Sequence, residues 1–238
     1  MRNLRQRSQR IHMSSTFWQS PTLKKFADSP NSSLMLVKGT FQERWAMRDI
    51  AVRVTEELKR KHVPALWAVS TGIADRTTKA PNRTDVLKSL VAQALTLDDS
   101  AHSQKSTALS CTQLRTAATE RQWFEILGSA LANICRETYI IIELEVLISP
   151  FGDSLSHTEV IGLFSNLFAE LVARGMKSVV KVLAFTCRPF ISLPQTTENV
   201  LSTAIPSRPS PRVKQHAKHR SKQDRTSSYT GVPRRTVA

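Results

Sequence analysis

The chain has 238 residues, enough for one domain with a sizeable core and flanking segments. Its 34 Lys and Arg against 19 Asp and Glu give a formal net charge of +15, a balance that attracts polyanions. No apolar run approaches the roughly 18 to 20 residues that span a bilayer, so no membrane role is expected. Three cysteines, Cys111, Cys135 and Cys187, are odd in number and lack C-x-x-C spacing, which argues against a disulfide framework or a zinc site. They read as reduced thiols of an intracellular protein, with Cys135 and Cys187 buried.

The charge is unevenly spread. Arg2, Arg5, Arg7, Arg10, Lys24 and Lys25 all precede the first acidic residue, Asp28. Near the other end Arg208, Arg212, Lys214, Lys218, Arg220, Lys222, Arg225, Arg234 and Arg235 face only Glu198 and Asp224. The middle is closer to balance, so the excess charge reads first as solvation of the chain's ends, with nucleic-acid binding through those basic ends only as an alternative. The Arg- and Ser-rich start invites a mitochondrial presequence, but Pro21 and a weak apolar face argue against it. The expected location is cytoplasmic, with the nucleus as the alternative.

Residues 1–20 read as a disordered basic segment. Leu23 and Phe26 can anchor a short helix ending before Pro30. Leu34–Lys38 is an apolar run too short for a helix and reads as a strand. Met47, Ile50, Ala51, Val54 and Leu58 recur on one helical face, with Glu43, Arg48, Arg53, Glu57 and Lys61 mostly opposite. Val63–Val69 is a second strand, with Trp67 expected in the core. Thr84 or Asp85 can cap the next helix, which carries Leu87, Leu90, Val91, Ala94 and Leu95. Residues 98–112 show no periodicity. Thr119 can cap a helix with Trp123, Phe124, Leu127, Leu131 and Ile134 on one face. Tyr139–Ile142 is an uninterrupted run of β-formers, as in a central parallel strand covered on both faces. Thr158–Arg174 is amphipathic and stops at Gly175, and Val179–Phe185 is a fourth strand. After Pro189 the hydrophobic pattern ends. The expected fold is therefore α/β, a three-layer parallel sheet with helices on both faces, over residues 21–190, followed by a disordered basic, Ser/Pro-rich tail over 191–238.

The first strand runs through Lys38, Gly39, Thr40 and Gln42 into a helix, the unit on which phosphate-binding loops are built. The pattern G-x-x-x-x-G-K-[ST] begun at Gly39, however, meets Arg44, Trp45 and Ala46 where Gly, Lys and Ser/Thr belong. Trp45 at the lysine place is expected to fill the phosphate cavity. Glu143 and Glu145 end the Tyr139–Ile142 strand, at the edge where open α/β sheets bind ligands. No histidine has ligand spacing, so no metal site is assigned, and no cysteine or serine has a histidine partner that would make it a nucleophile.

With these segments in order, the chain resembles the nucleotide-binding domain of NACHT-type signalling NTPases, within the STAND class of P-loop proteins. It is most similar to the degenerate versions in large fungal multidomain proteins. The resemblance spans about residues 20 to 190. It rests on Leu23 to Gly39, on Tyr139–Glu145 as a Walker B-like strand, and on Lys181–Pro189 as a strand ending in Thr-Cys-Arg-Pro. It implies a P-loop NTPase-like fold with a remnant nucleotide site at Lys38, Gly39, Thr40, Gln42, Arg44, Glu143, Glu145 and Arg188, where Arg188 would sense the terminal phosphate. It further implies self-association or protein partners. Without the loop's lysine and hydroxyl, hydrolysis is not expected, no catalytic residue is assigned and no cofactor is required, though residual ATP or ADP binding at the helix N-terminus stays open. The alternative is a weakly active ATPase in which Lys38, Arg44 or Arg48 meets phosphate and Glu143 holds Mg²⁺. The family continues into a helical lid and winged-helix segment, whereas this sequence turns basic and Ser/Pro-rich.

Overall fold

A computed structural model describes residues 17–70, 82–97, 111–134, 136–147, 157–188 and 199–205. The expectations for Cys135, for the loops within 71–81 and 98–110, and for most of both chain ends lie outside the described residues.

The elements follow in chain order as α1 (Pro21–Asp28), β1 (Ser33–Lys38), a 3-10 turn (Phe41–Glu43), α2 (Arg44–Arg60), β2 (Ala65–Ala68), α3 (Arg83–Leu97), α4 (Cys111–Thr116), α5 (Glu120–Ala132), β3 (Thr138–Glu143), α6 (His157–Ala173), β4 (Val180–Thr186) and β5 (Val200–Ala204). The strands form one sheet in the order β2-β3-β4-β1-β5, every pairing parallel. Alternation along the strands sorts two cores. Leu34, Leu36, Ile140, Ile142, Val182 and Ala184 pack against α3, α5 and α6. Met35, Val37, Ile141, Leu183 and Phe185 pack against α1 and α2. The chain thus travels from β1 to β2 over one face and returns through β3 to β4 over the other, which keeps a single hand of crossover. The expected three-layer α/β fold is present, with helices on both faces of one parallel sheet.

Three expectations need correction. Val200–Ala204 is a strand, registered on β1 from Leu34↔Val200 to Lys38↔Ala204, within the stretch assigned to a disordered tail. Its sequence is half polar because it lies at a sheet edge, so it lacks the apolar signature of the central strands. Trp67 is 40% exposed rather than core, because β2 is the opposite edge strand. There the Gln93 side chain from α3 accepts from the Trp67 N–H at 2.9 Å and donates to its carbonyl at 3.0 Å, standing in for a missing neighbour strand. The helix α3 begins at Arg83, with the Asn82 carbonyl accepting from Asp85 and Val86, ahead of the expected cap. Thr119 does cap α5, and Gly175, at φ +65, closes α6 with Met176 N–H donating back to Leu171.

Beneath α1 the sheet holds an unexpected charge. Lys181, fully buried in β4, donates from Nζ to the carbonyls of Phe26 (3.1 Å), Ser29 and Asn31 (2.9 Å) and to Ser33 Oγ (3.3 Å). These include carbonyls of the last turn of α1 and the residues after it, which have no partner within the helix. Burial pushes the Lys181 amine below its ordinary range, against a smaller opposing pull from Glu137. The cage tethers α1 and the loop before β1 to the central strands. Replacing Lys181 with Met would strand several buried acceptors at about 1–3 kcal/mol each. Urea denaturation of that variant should show a loss of at least about 3 kcal/mol, and an unchanged midpoint would refute the tether.

Candidate functional site

Because all five strands are parallel, their carboxyl ends share one edge. There the neighbours β1 and β4 send the chain in opposite directions along the sheet, β1 toward β2 and β4 toward β5, a reversal of the kind at which open sheets bind ligands. The edge is assembled from the ends of β1, β3 and β4.

After β1, the Gly39 N–H continues the ladder to the Thr186 carbonyl at 2.9 Å. A Cβ on Gly39 would stand 2.7 Å from Met47 Sδ, so the glycine lets α2 pack close on the strand end. Only Gly39 and Thr40 separate β1 from the 3-10 turn. That turn is closed by a capping box: Glu43 Oε2 accepts from both the Thr40 N–H and the Thr40 hydroxyl at 2.5 Å, and the Glu43 N–H donates to the Thr40 carbonyl at 2.9 Å. Glu43 is buried, not on the solvent face where the helical pattern puts it. A phosphate loop needs free, converging backbone N–H groups. The first of these here is taken by the chain's own carboxylate. The T-x-x-E spacing from Thr40 to Glu43 was the sequence signal for it.

Of the next two side chains, Arg44 is half-buried and Trp45 turns outward. Trp45 is 42% exposed and fills no cavity. The Arg44 guanidinium lies 3.9 Å from the Phe41 ring centre and 5.2 Å from Trp45, and that of Arg48 lies 5.0 Å from Trp45. Ala46, at the hydroxyl place, is buried. Arg48 also reaches both carboxylate oxygens of Glu143 at 3.4 Å, and Glu143 accepts from the Ser70 N–H at 2.9 Å. The expected Mg²⁺ carboxylate is thus held by an arginine and an amide.

Glu145 has a different task. Its Oε1 accepts from the Thr186 hydroxyl at 2.9 Å and the Cys187 N–H at 2.7 Å, while Thr186 Oγ1 accepts from the Arg188 N–H at 3.1 Å. It therefore fixes the backbone where β4 ends. Arg188 itself is exposed and Gln42 is exposed, whereas Lys38 is half-buried on β1 with its carbonyl accepting from Ile205 N–H at 2.8 Å. All eight predicted residues share this edge, and Arg44, Glu143 and Glu145 line one enclosed space of about 10 Å³, roughly the room for a single water. Two buried atoms beside it, Arg48 Nε and Glu145 Oε2, have no partner among the described residues. A larger cavity of about 370 Å³ lies at the opposite edge, between α1 and β5.

No protein-family model and no curated protein matches the chain. Among solved structures it is similar to the Aeropyrum pernix ORC1 protein in complex with DNA, at 13% identity and a TM-score of 0.38. That match covers 90% of this chain and 49% of the other, so the chain spans about half its length. No described helix is long and apolar enough to cross a membrane.

Burial, and then the nearby Glu145 and Glu143 carboxylates, push the half-buried Cys187 thiol up to about 11. At pH 8 Cys187 in the folded chain should react with iodoacetamide roughly two to three orders of magnitude more slowly than in the unfolded chain. Peptide mapping of the labelled cysteine checks this, and equal rates would contradict it.

Proposed function

We propose that this chain is a non-catalytic P-loop NTPase-like module, related to NACHT and STAND signalling proteins, that works by binding other macromolecules. The capping box at Thr40 and Glu43 is the observation that carries this reading. A triphosphate grip needs amides that converge on the β-phosphate, a lysine reaching the β- and γ-oxygens and a hydroxyl on Mg²⁺. Here the loop is reduced to two residues, an anion of the chain's own sits on its first amide, and Trp45 and Ala46 replace the lysine and the hydroxyl. Bringing a phosphate onto the Thr40 amide would displace the Glu43 carboxylate already bound there, like charge against like. The partners proposed are like domains or a neighbouring effector chain, on the strength of the motif resemblance.

The competing ATPase reading needs Glu143 free for Mg²⁺, yet Arg48 and the Ser70 amide already engage it. Calorimetric titration with ATP, with and without Mg²⁺, should give no metal-dependent binding, and phosphate release should stay at background. Turnover that disappears on Glu143→Ala would overturn the proposal. Glu43→Ala should cost about 1 kcal/mol in denaturant unfolding, as the loss of a helix cap does. That variant should still release no phosphate, since removing the carboxylate supplies neither lysine nor hydroxyl.

A further inference from the structure

The first turns of α2 carry an alternation of rings and cations that a nucleotide site does not use. Phe41 and Trp45 are one helical turn apart and are 68% and 42% exposed. The Arg44 guanidinium lies near both rings, at 3.9 and 5.2 Å from their centres, and no ion pair among the described residues involves it. The Arg48 guanidinium also lies 5.0 Å from the Trp45 ring centre and is hydrogen-bonded to Glu143, while Trp45 keeps 42% of its surface exposed. A guanidinium that uses its face for stacking keeps its edge donors for an anion. The surface therefore offers two exposed rings beside a positive charge that no carboxylate among the described residues pairs.

Three kinds of occupant can be weighed. A second copy docked two-fold would bring Arg44 toward its own symmetry mate, like charge on like. An acidic peptide would neutralise Arg44 but offers a flat ring only where it happens to carry an aromatic residue. A single nucleic-acid strand supplies a stacking face at every base and a phosphate between each pair. The net charge of +15 draws such a strand in from a distance. We propose that Phe41, Arg44 and Trp45 form a stacking platform for single-stranded nucleic acid, with bases on the two rings and a phosphate on Arg44. This places binding on the folded domain rather than on the basic ends alone, and it does not depend on whether the domain hydrolyses ATP.

The test titrates the full chain into a fluorescein-labelled oligothymidylate by fluorescence anisotropy over a series of salt concentrations. Phe41→Ala and Trp45→Ala should each weaken binding about tenfold, with the slope of log affinity against log salt unchanged. Arg44→Ala should lower that slope by about one. Trp45→Phe, which keeps a ring, should retain most of the affinity. Because these side chains are exposed, far-UV circular dichroism should be the same for all variants. Wild-type affinity in the Phe41→Ala/Trp45→Ala double variant would overturn the platform and leave the binding to the basic ends. Polyglutamate competing as well as the oligonucleotide would overturn it in favour of an acidic protein partner. Either failure leaves the absence of ATP turnover untouched, and ATP turnover would leave the oligonucleotide result untouched.

Discussion

The geometry of the C-terminal edge depends on one short hydrogen-bonded closure, the Glu43 carboxylate on the Thr40 amide and hydroxyl. A helix N-terminus presents unpaired N–H groups and the positive end of the macrodipole, and some acceptor must meet them. In a phosphate loop that acceptor comes from outside. Here a side chain three residues on supplies it, which allows the turn to follow β1 after only two residues. The tight turn seats Met47 over Gly39 and buries Ala46. The same helical phase sends Trp45 to the surface, leaves Arg44 half-buried and brings Arg48 onto Glu143. Loss of a cavity for phosphate and gain of an exposed ring–cation stack are thus two consequences of one closure.

Much of the fold was legible because the central strands announce themselves. β1 and β3 carry uninterrupted apolar runs and β4 one broken only by Lys181, and their boundaries shift by only a residue or so from those the sequence suggests. The edge strands were harder for a physical reason. An edge strand needs apolar residues toward its single neighbour and the core alone, so Val200–Ala204 hides in a Ser/Thr-containing stretch, and Trp67 looks like core while lying at the rim. At the site, the residue types were readable but not their engagements. Arg48 and Glu143 are 95 residues apart, and Glu145 meets Thr186 41 residues away. Such pairings depend on strand order, which periodicity does not encode. Glu43 was the exception. Its capping-box spacing was local, and it was overlooked only because a charged residue between apolar positions fits an outward helical face equally well.

Two ionisable side chains pin the ends of the central strand β4, and they do so differently. At the amino end Lys181 has no carboxylate within its cage. Backbone carbonyls and one hydroxyl saturate it, so its burial is stabilising only while α1 and the following loop stay in place. At the carboxyl end Glu145 uses one oxygen to hold Thr186 and Cys187, and its other oxygen, like Arg48 Nε nearby, has no partner among the described residues. One end is fully satisfied and structural, whereas the other retains polar capacity.

That asymmetry bears on which edge can respond to a partner. A saturated cage can only be broken, at a large cost in unsatisfied carbonyls. An edge with unpaired donors and acceptors can take on new contacts without first losing old ones. The path from Phe41 through Arg44, Trp45 and Arg48 to Glu143 and the Ser70 amide is a chain of direct contacts from the surface to the ends of β2 and β3. The surface of α2 is thus linked to the ends of two strands by side-chain contacts alone.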